Sequence, residues 1–190
     1  MKKTSFIKNN NGVALIEFSV VLPFLLIMFL GMIELGNYTL YQQKLDKIAS
    51  SMADFVTQGN TITTTNLNDF GLAVPHIMKP FAFDGTVIFS SASRASTQTV
   101  NCRANQACIN WQHKILGSDN SKIGTIGSTP ALPGGYTIPA DQNIIVAEAY
   151  IHYKPILATS SNFIAAFEPQ TLYKIAITKP RQGSLTTLGR

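Results

Sequence analysis

From Val13 to Leu35 the chain is apolar at nearly every position, and only Glu17, Ser19 and Glu34 break the run with polar side chains. At 1.5 Å per residue, residues 13–35 reach about 34 Å as a helix, enough to cross a hydrocarbon core of about 30 Å. Beyond the run, the apolar positions retreat to one face. Tyr38, Tyr41, Leu45, Ile48, Met52 and Phe55 follow in steps of three and four, with Gln42, Gln43, Lys44, Asp46, Lys47 and Asp54 between them. The spacing predicts a single helix from about Val13 to Gln58, stopped by Gly59-Asn60. The seam covers under three heptads, too few to argue for a coiled-coil partner, so it is expected to pack on the chain's own domain.

After that helix the pattern changes. Thr61 to Thr65 reads as a polar strand or loop, and Asn66 or Asn68 can cap a short helix towards Met78, limited by Pro75 and Pro80. Thr86 to Ala92 reads as a strand. Ile109, Trp111, His113 and Ile115 alternate with Asn110, Gln112 and Lys114, which predicts a second strand with one apolar face. Residues 117–142, rich in Gly, Ser, Thr and Pro, read as a long surface connection and a candidate functional tip. Asn143 to Tyr153 and Thr171 to Thr178 supply the last two strands. The expected fold class is α+β: a long N-terminal transmembrane helix continues into an amphipathic helix packed on a small antiparallel sheet.

Charge adds a direction. Of the net +5, Lys2, Lys3 and Lys8 lie ahead of the span with no acidic residue beside them. Beyond it, Lys44 and Lys47 are offset by Glu34 and Asp46. This bias predicts a cytoplasmic N-terminus and a domain across the membrane. A cleaved secretory signal is not expected, because the apolar core is too long and Gly31-Met32-Ile33-Glu34-Leu35-Gly36 offers no small-residue cleavage site. Nor is the remaining charge clustered enough for a nucleic-acid surface. The domain plan is therefore a basic leader (1–12), a transmembrane segment (13–35) and an outer domain (36–190).

A lone membrane anchor leaves Glu17 unexplained, since an ionised carboxylate deep in a span costs roughly 2.5–3.5 kcal/mol on insertion scales. Here the residues carry a resemblance. Gly12-Val13-Ala14-Leu15-Ile16-Glu17-Phe18 resembles the G-x-x-x-x-E-F/Y processing motif of Flp-class type IV prepilins, and Gly12 to Gly36 is similar to the opening of TadE-like proteins. Those are minor pseudopilins of the tight-adherence (Tad) pilus system. Tyr150 to Leu157 and Leu172 to Arg181 resemble the family's later strands more loosely. Phe18 stands where the major Flp pilins have Tyr.

The resemblance implies a pilin-like periplasmic domain on a single-pass protein of the bacterial inner membrane, with a role in assembling an adhesive Tad/Flp pilus. It also implies cleavage by a prepilin peptidase between Gly12 and Val13, and partners among other pilins and Tad assembly components. Cutting would leave an amine on Val13 four residues, one helical turn, from the Glu17 carboxylate. The alternative is an uncleaved single-pass scaffold of an envelope secretion apparatus.

Other candidates narrow quickly. Cys102 and Cys108 are expected to form a structural disulfide outside the cytoplasm, closing a loop of about seven residues and contributing ~2.4 kcal/mol on the chain-entropy model. His76, His113 and His152 lack ligand spacing, and C-x5-C alone does not hold a metal. No nucleophile elbow, P-loop or glycine-rich nucleotide fingerprint occurs, so neither a cofactor nor an enzymatic activity is expected. Phe81, Phe83, Phe163 and Phe167 could make an exposed patch, but a short helix over 163–167 packing on the sheet is favoured.

Overall fold

Helix α1 carries both halves of the molecule: it runs Asn11–Gln58 and passes through Pro23 without a break. The computed structural model describes residues 11–156 and 168–189; the proposed 163–167 helix with Phe163 and Phe167 lies outside them. From Gly12 to Ile33 only Gly31 is even half-buried, and the most apolar 18-residue window there has a mean hydropathy of 2.6 with none of it buried. This is one helix long and apolar enough to cross a membrane. Its second half lies on a four-stranded antiparallel sheet of β1 (Gly85–Arg94), β2 (Cys108–Ile115), β3 (Gln142–Tyr153) and β4 (Gln170–Thr178), in the order β2-β1-β3-β4. The architecture is α+β with an apolar, membrane-type helix.

Packing follows the seam, with one change near its end. Leu45, Ile48 and Met52 are fully buried, and Tyr38 and Tyr41 are half-buried against the core. The seam then continues through Ala49, Ala53 and Val56, whereas Phe55 is 40 % exposed and stacks on Phe70 at 5.5 Å. Small residues let the backbone approach the sheet, so the contact face turns by one position. Helix α2 (Thr64–Met78) packs beside α1 and over β2. It starts earlier than the asparagines suggest. Thr63 is the N-cap, its hydroxyl accepting the Asn66 N–H at 3.2 Å, while the Asn66 side chain accepts the Thr63 N–H. This reciprocal pair satisfies two otherwise orphaned donors, and Pro75 is accommodated inside the helix.

The second strand also departs from simple alternation. Ser91 pairs with Trp111 but Ala92 pairs with Ile109, so Asn110 is an extra residue in β2. The bulge reverses the side-chain phase there. Trp111 and Ile115 face the helices, while Ile109 joins the opposite face with Ala92, Ile123, Ile138, Ile144 and Val146. Asn110, buried by this turn, donates to Ser93 Oγ at 2.9 Å.

That opposite face is not open to solvent. The connection between β2 and β3 lies across it, starting beside Gly85 and Thr86 and ending where Asp141 N–H donates to Arg94 O at 2.7 Å. Ile123 and Ile138 are its buried anchors. The segment expected to stand out as a tip is instead a cover.

Candidate functional site

Gly12, Val13, Glu17 and Phe18 form the first turns of α1, on a stretch that is exposed among the described residues. A Cβ on Gly12 would meet nothing within 4 Å, and Val13 and Phe18 are more than half exposed. Glu17 has neither a hydrogen-bond nor an ion-pair partner among the described residues. The four residues therefore lie together, accessible, at one end of a rod. Cys102 and Cys108 lie at the other. Their sulfurs are bonded, with Cα atoms 5.7 Å apart, tying the loop between β1 and β2 to the first residue of β2. About 1.5 Å of rise per residue puts the far end of α1 roughly 60 Å from Glu17.

Between these ends is a carboxylate whose part the alternation of residue types did not disclose. Glu34 is only 3 % exposed although it sits where the apolar run ends. Tyr153 Oη donates to its Oε1, and the Ile156 N–H donates to its Oε2 at 3.0 Å. Both donors come from the end of β3 and the residues just after it. Tyr38 and Tyr41 stand edge-on to Tyr153, and Phe81 lies against Tyr41 at 4.3 Å between ring centres. Burial, then the Glu34 acceptor and its charge, push the Tyr153 phenol well above its usual range. The collar fixes the folded domain to the helix at the point where the helix leaves its apolar stretch.

A second buried carboxylate holds the outer cover down. Glu148 on β3 accepts from the Ser121 hydroxyl, the Lys122 N–H at 2.9 Å, Tyr150 Oη at 3.0 Å and Tyr173 Oη at 2.9 Å. Lys122 Nζ sits 4.3 Å from the centre of the Tyr173 ring, a cation–π distance. Burial first, then Glu148, raises both phenols. Such a fully hydrogen-bonded carboxylate is a structural rivet.

The histidines do not converge. His152 bridges Asp84 (3.5 Å) and Asp119 (3.3 Å), Thr86 Oγ1 donates to Asp119 at 2.6 Å, and Lys154 pairs with Asp84 at 3.1 Å. The Asp84 carboxyl is held below its usual range by hydrogen bonds from Lys154 and His152. His113 meets Asn68 Oδ1 at 3.0 Å, and burial lowers its tendency to protonate. Among the described residues no group of three or more His, Cys, Asp or Glu side chains is placed to hold a metal ion.

Residues 12–54 match the model of the TadE-like protein family. The match covers nearly the whole of α1, from the Gly12–Phe18 motif through the Glu34 collar to the spine of the domain. No curated protein and no solved structure matches the chain.

Proposed function

We propose that this chain, TadE-like from Gly12 to Asp54, is a minor pseudopilin that takes part in building an adhesive Tad/Flp pilus. A prepilin peptidase cuts it between Gly12 and Val13 at the cytoplasmic face of the inner membrane, and the folded domain stands in the periplasm. The observation that carries this reading is Glu17: a carboxylate without a partner among the described residues, on an exposed apolar helix that leads unbroken into an α+β domain. Cleavage places the Val13 ammonium one turn away. Within one chain, or between neighbouring subunits, the two charges neutralise each other in a low-dielectric bundle. Removing one partner of such a buried pair typically costs 3–5 kcal/mol. An isolated helix of this design is penalised, and a bundle of similar helices relieves it.

Supporting the cut is the open space beside Gly12, where an added Cβ would meet no described atom of another element within 4 Å. Mass spectrometry of the N-terminus from cells expressing the peptidase tests the processing step. Chains beginning at Val13 are expected, and recovery of intact Met1–Gly12 would instead favour an uncleaved scaffold. Glu17→Ala is expected to insert in the membrane normally but to lose copurification with other pilus components. Undiminished recovery of those partners argues against the assembly role.

A further inference from the structure

The sheet has two edge strands, β2 and β4, and they end the sheet differently. Along β2 the Asn110 bulge interrupts the ladder, and neighbouring loops cover the edge. Ile109 N–H donates to Ser128 O at 3.0 Å, Gly127 N–H donates to Ile109 O at 2.9 Å, and Asn101 Nδ2 donates to Asn110 O at 3.0 Å. Bulges and covering loops are devices by which natural sheets avoid pairing with other chains. Strand β4 has neither. Its 9 residues include no proline and no glycine, and they pair with β3 in unbroken register.

The groups left over on β4 follow from the ladder. His152 N–H donates to Asp84 O at 2.8 Å, in line with the β1–β3 register, so even-numbered residues of β3 turn their main-chain groups to β1. Odd-numbered residues of β3 then turn theirs to β4, where they meet Leu172, Lys174, Ala176 and Thr178. The N–H and C=O groups of Thr171, Tyr173, Ile175 and Ile177 therefore point outward from the sheet. None of these groups has a hydrogen-bond partner among the described residues. An unpaired row of this kind matches the main chain of an extended segment, group for group.

Flanking side chains restrict what that segment is. Lys174 and Ala176 lie on the helix-facing side of the edge, and half-buried Tyr173, Ile175 and Ile177 lie on the side of the outer cover. Lys122 reaches over the Tyr173 ring, and Lys179 follows the strand. None of Lys122, Lys174 and Lys179 has a carboxylate within ion-pair distance among the described residues, whereas Arg181 meets Asp54 at 3.8 Å. Opposite charges across paired strands attract and like charges repel, so Lys174 favours an acid and disfavours a copy of itself. Geometry also disfavours a second copy. Strand β4 runs from the neck, where Gln170 pairs with Tyr153, towards the far end of α1, where Thr178 Oγ1 donates to Ala53 O at 3.4 Å. Two copies inserted the same way in one bilayer hold these strands parallel, and a two-fold axis between them sets N–H against N–H and C=O against C=O. We infer that the outer edge of β4 takes up an extended segment of another protein as an added strand, with apolar residues beside Tyr173, Ile175 and Ile177 and an acidic residue beside Lys174.

This edge belongs to the folded domain and does not depend on the cut at Gly12, so failure of the proposal would leave the pseudopilin reading standing. The test uses the full chain, nitrogen-labelled, in detergent micelles, and follows amide hydrogen exchange along β4. In the dilute chain alone, the amides of Tyr173, Ile175 and Ile177 should exchange fast and those of Leu172, Lys174 and Ala176 slowly. The probe is a short synthetic peptide of alternating valine and glutamate, which sets its valines beside Ile175 and Ile177 and a glutamate beside Lys174. It should slow the outward amides roughly tenfold or more, with half-saturation on the order of millimolar. Ile175→Pro removes an outward N–H but no bond to β3, and it should abolish that protection while the Leu172 and Ala176 amides stay slow. Lys174→Glu should weaken the response to this peptide roughly tenfold and allow a valine–lysine peptide to bind instead. Several results overturn the proposal: outward amides already slow in the dilute chain, which shows that the chain covers its own edge; protection that rises with protein concentration alone, which assigns the edge to a second copy; no protection by the valine–glutamate peptide; equal protection of the unsubstituted chain by the valine–lysine peptide, or by a valine–glutamate peptide N-methylated at its valines; or an undiminished response in either variant.

Discussion

Glu34 and Tyr153 are 119 positions apart in the chain and share a hydrogen bond at the neck of the molecule. The carboxylate belongs to the helix and the hydroxyl to the end of β3, so the bond closes most of the domain into one loop. Tyr153→Phe removes the donor and leaves the buried carboxylate with the Ile156 N–H. Hydrogen bonds to charged groups contribute about 1.5–3 kcal/mol, and a loss in that range is expected. Hydrogen exchange reads it locally: the Ile156 amide should exchange faster, while amides in the middle of β1 stay protected.

Three phenols, those of Tyr150 and Tyr153 buried and that of Tyr173 half-buried, set the alkaline limit of the fold. Tyr150, Tyr153 and Tyr173 are all raised above the ordinary value of 10.0, chiefly by burial and then by Glu148 or Glu34. A group raised on folding contributes stability that is full below its unfolded value and lost as pH climbs towards its folded one. The domain should therefore lose stability steeply above about pH 10. In a spectrophotometric titration, these three tyrosines should ionise only as the protein unfolds.

Two glycines separate crowding from backbone preference. A Cβ on Gly85 would fall 2.0 Å from the carbonyl oxygen of Tyr150, where the β1–β3 pairing begins. Gly85→Ala must push two central strands apart, and a loss of at least about 3 kcal/mol is expected. Gly134 has a positive φ of 66° but nothing within 4 Å of its Cβ position. Gly134→Ala should cost only about 1–2 kcal/mol. Parallel denaturant titrations of the two variants check the contrast.

Reduction of the Cys102–Cys108 bond should act on the far pole alone. Opening a loop of about seven residues costs ~2.4 kcal/mol on the chain-entropy view. Cys102→Ser with Cys108→Ser should lower the unfolding midpoint correspondingly, and limited proteolysis should begin between Val100 and Ala107. The Glu34–Tyr153 neck, at the opposite end, should keep its exchange protection.

Much of this architecture could be read from the order of the residues because it rests on periodicity. The continuous α1, the four strands and the burial of Leu45, Ile48 and Met52 all follow from spacings of three, four or two. What escaped depends on single residues or on distant ones. Asn110 inserts one position into β2 and sends Ile109 to the opposite face from Trp111, a shift that no alternation predicts. Ile123 and Ile138 are isolated in a stretch of turn-forming residues, so their anchoring of the cover left no periodic trace. Thr63 caps α2 in place of the asparagines because a hydroxyl ahead of the helix and an amide three residues later satisfy each other. In the candidate site, the Gly12–Phe18 motif was visible as a local pattern. Glu34 looked like a third polar interruption of the apolar run, since Tyr153 and Ile156, which give it meaning, lie more than a hundred positions away in sequence.

One continuous helix joined to its domain by a collar behaves as a lever. The chain has no flexible linker between the apolar stretch and the sheet, and the Glu34–Tyr153 bond removes the swivel that an exposed helix would otherwise keep. A tilt of the apolar segment by about 10° then carries the opposite pole sideways by about 6 Å, given some 35 Å of arm. Where this helix leans against its neighbours thus decides where the far surface points.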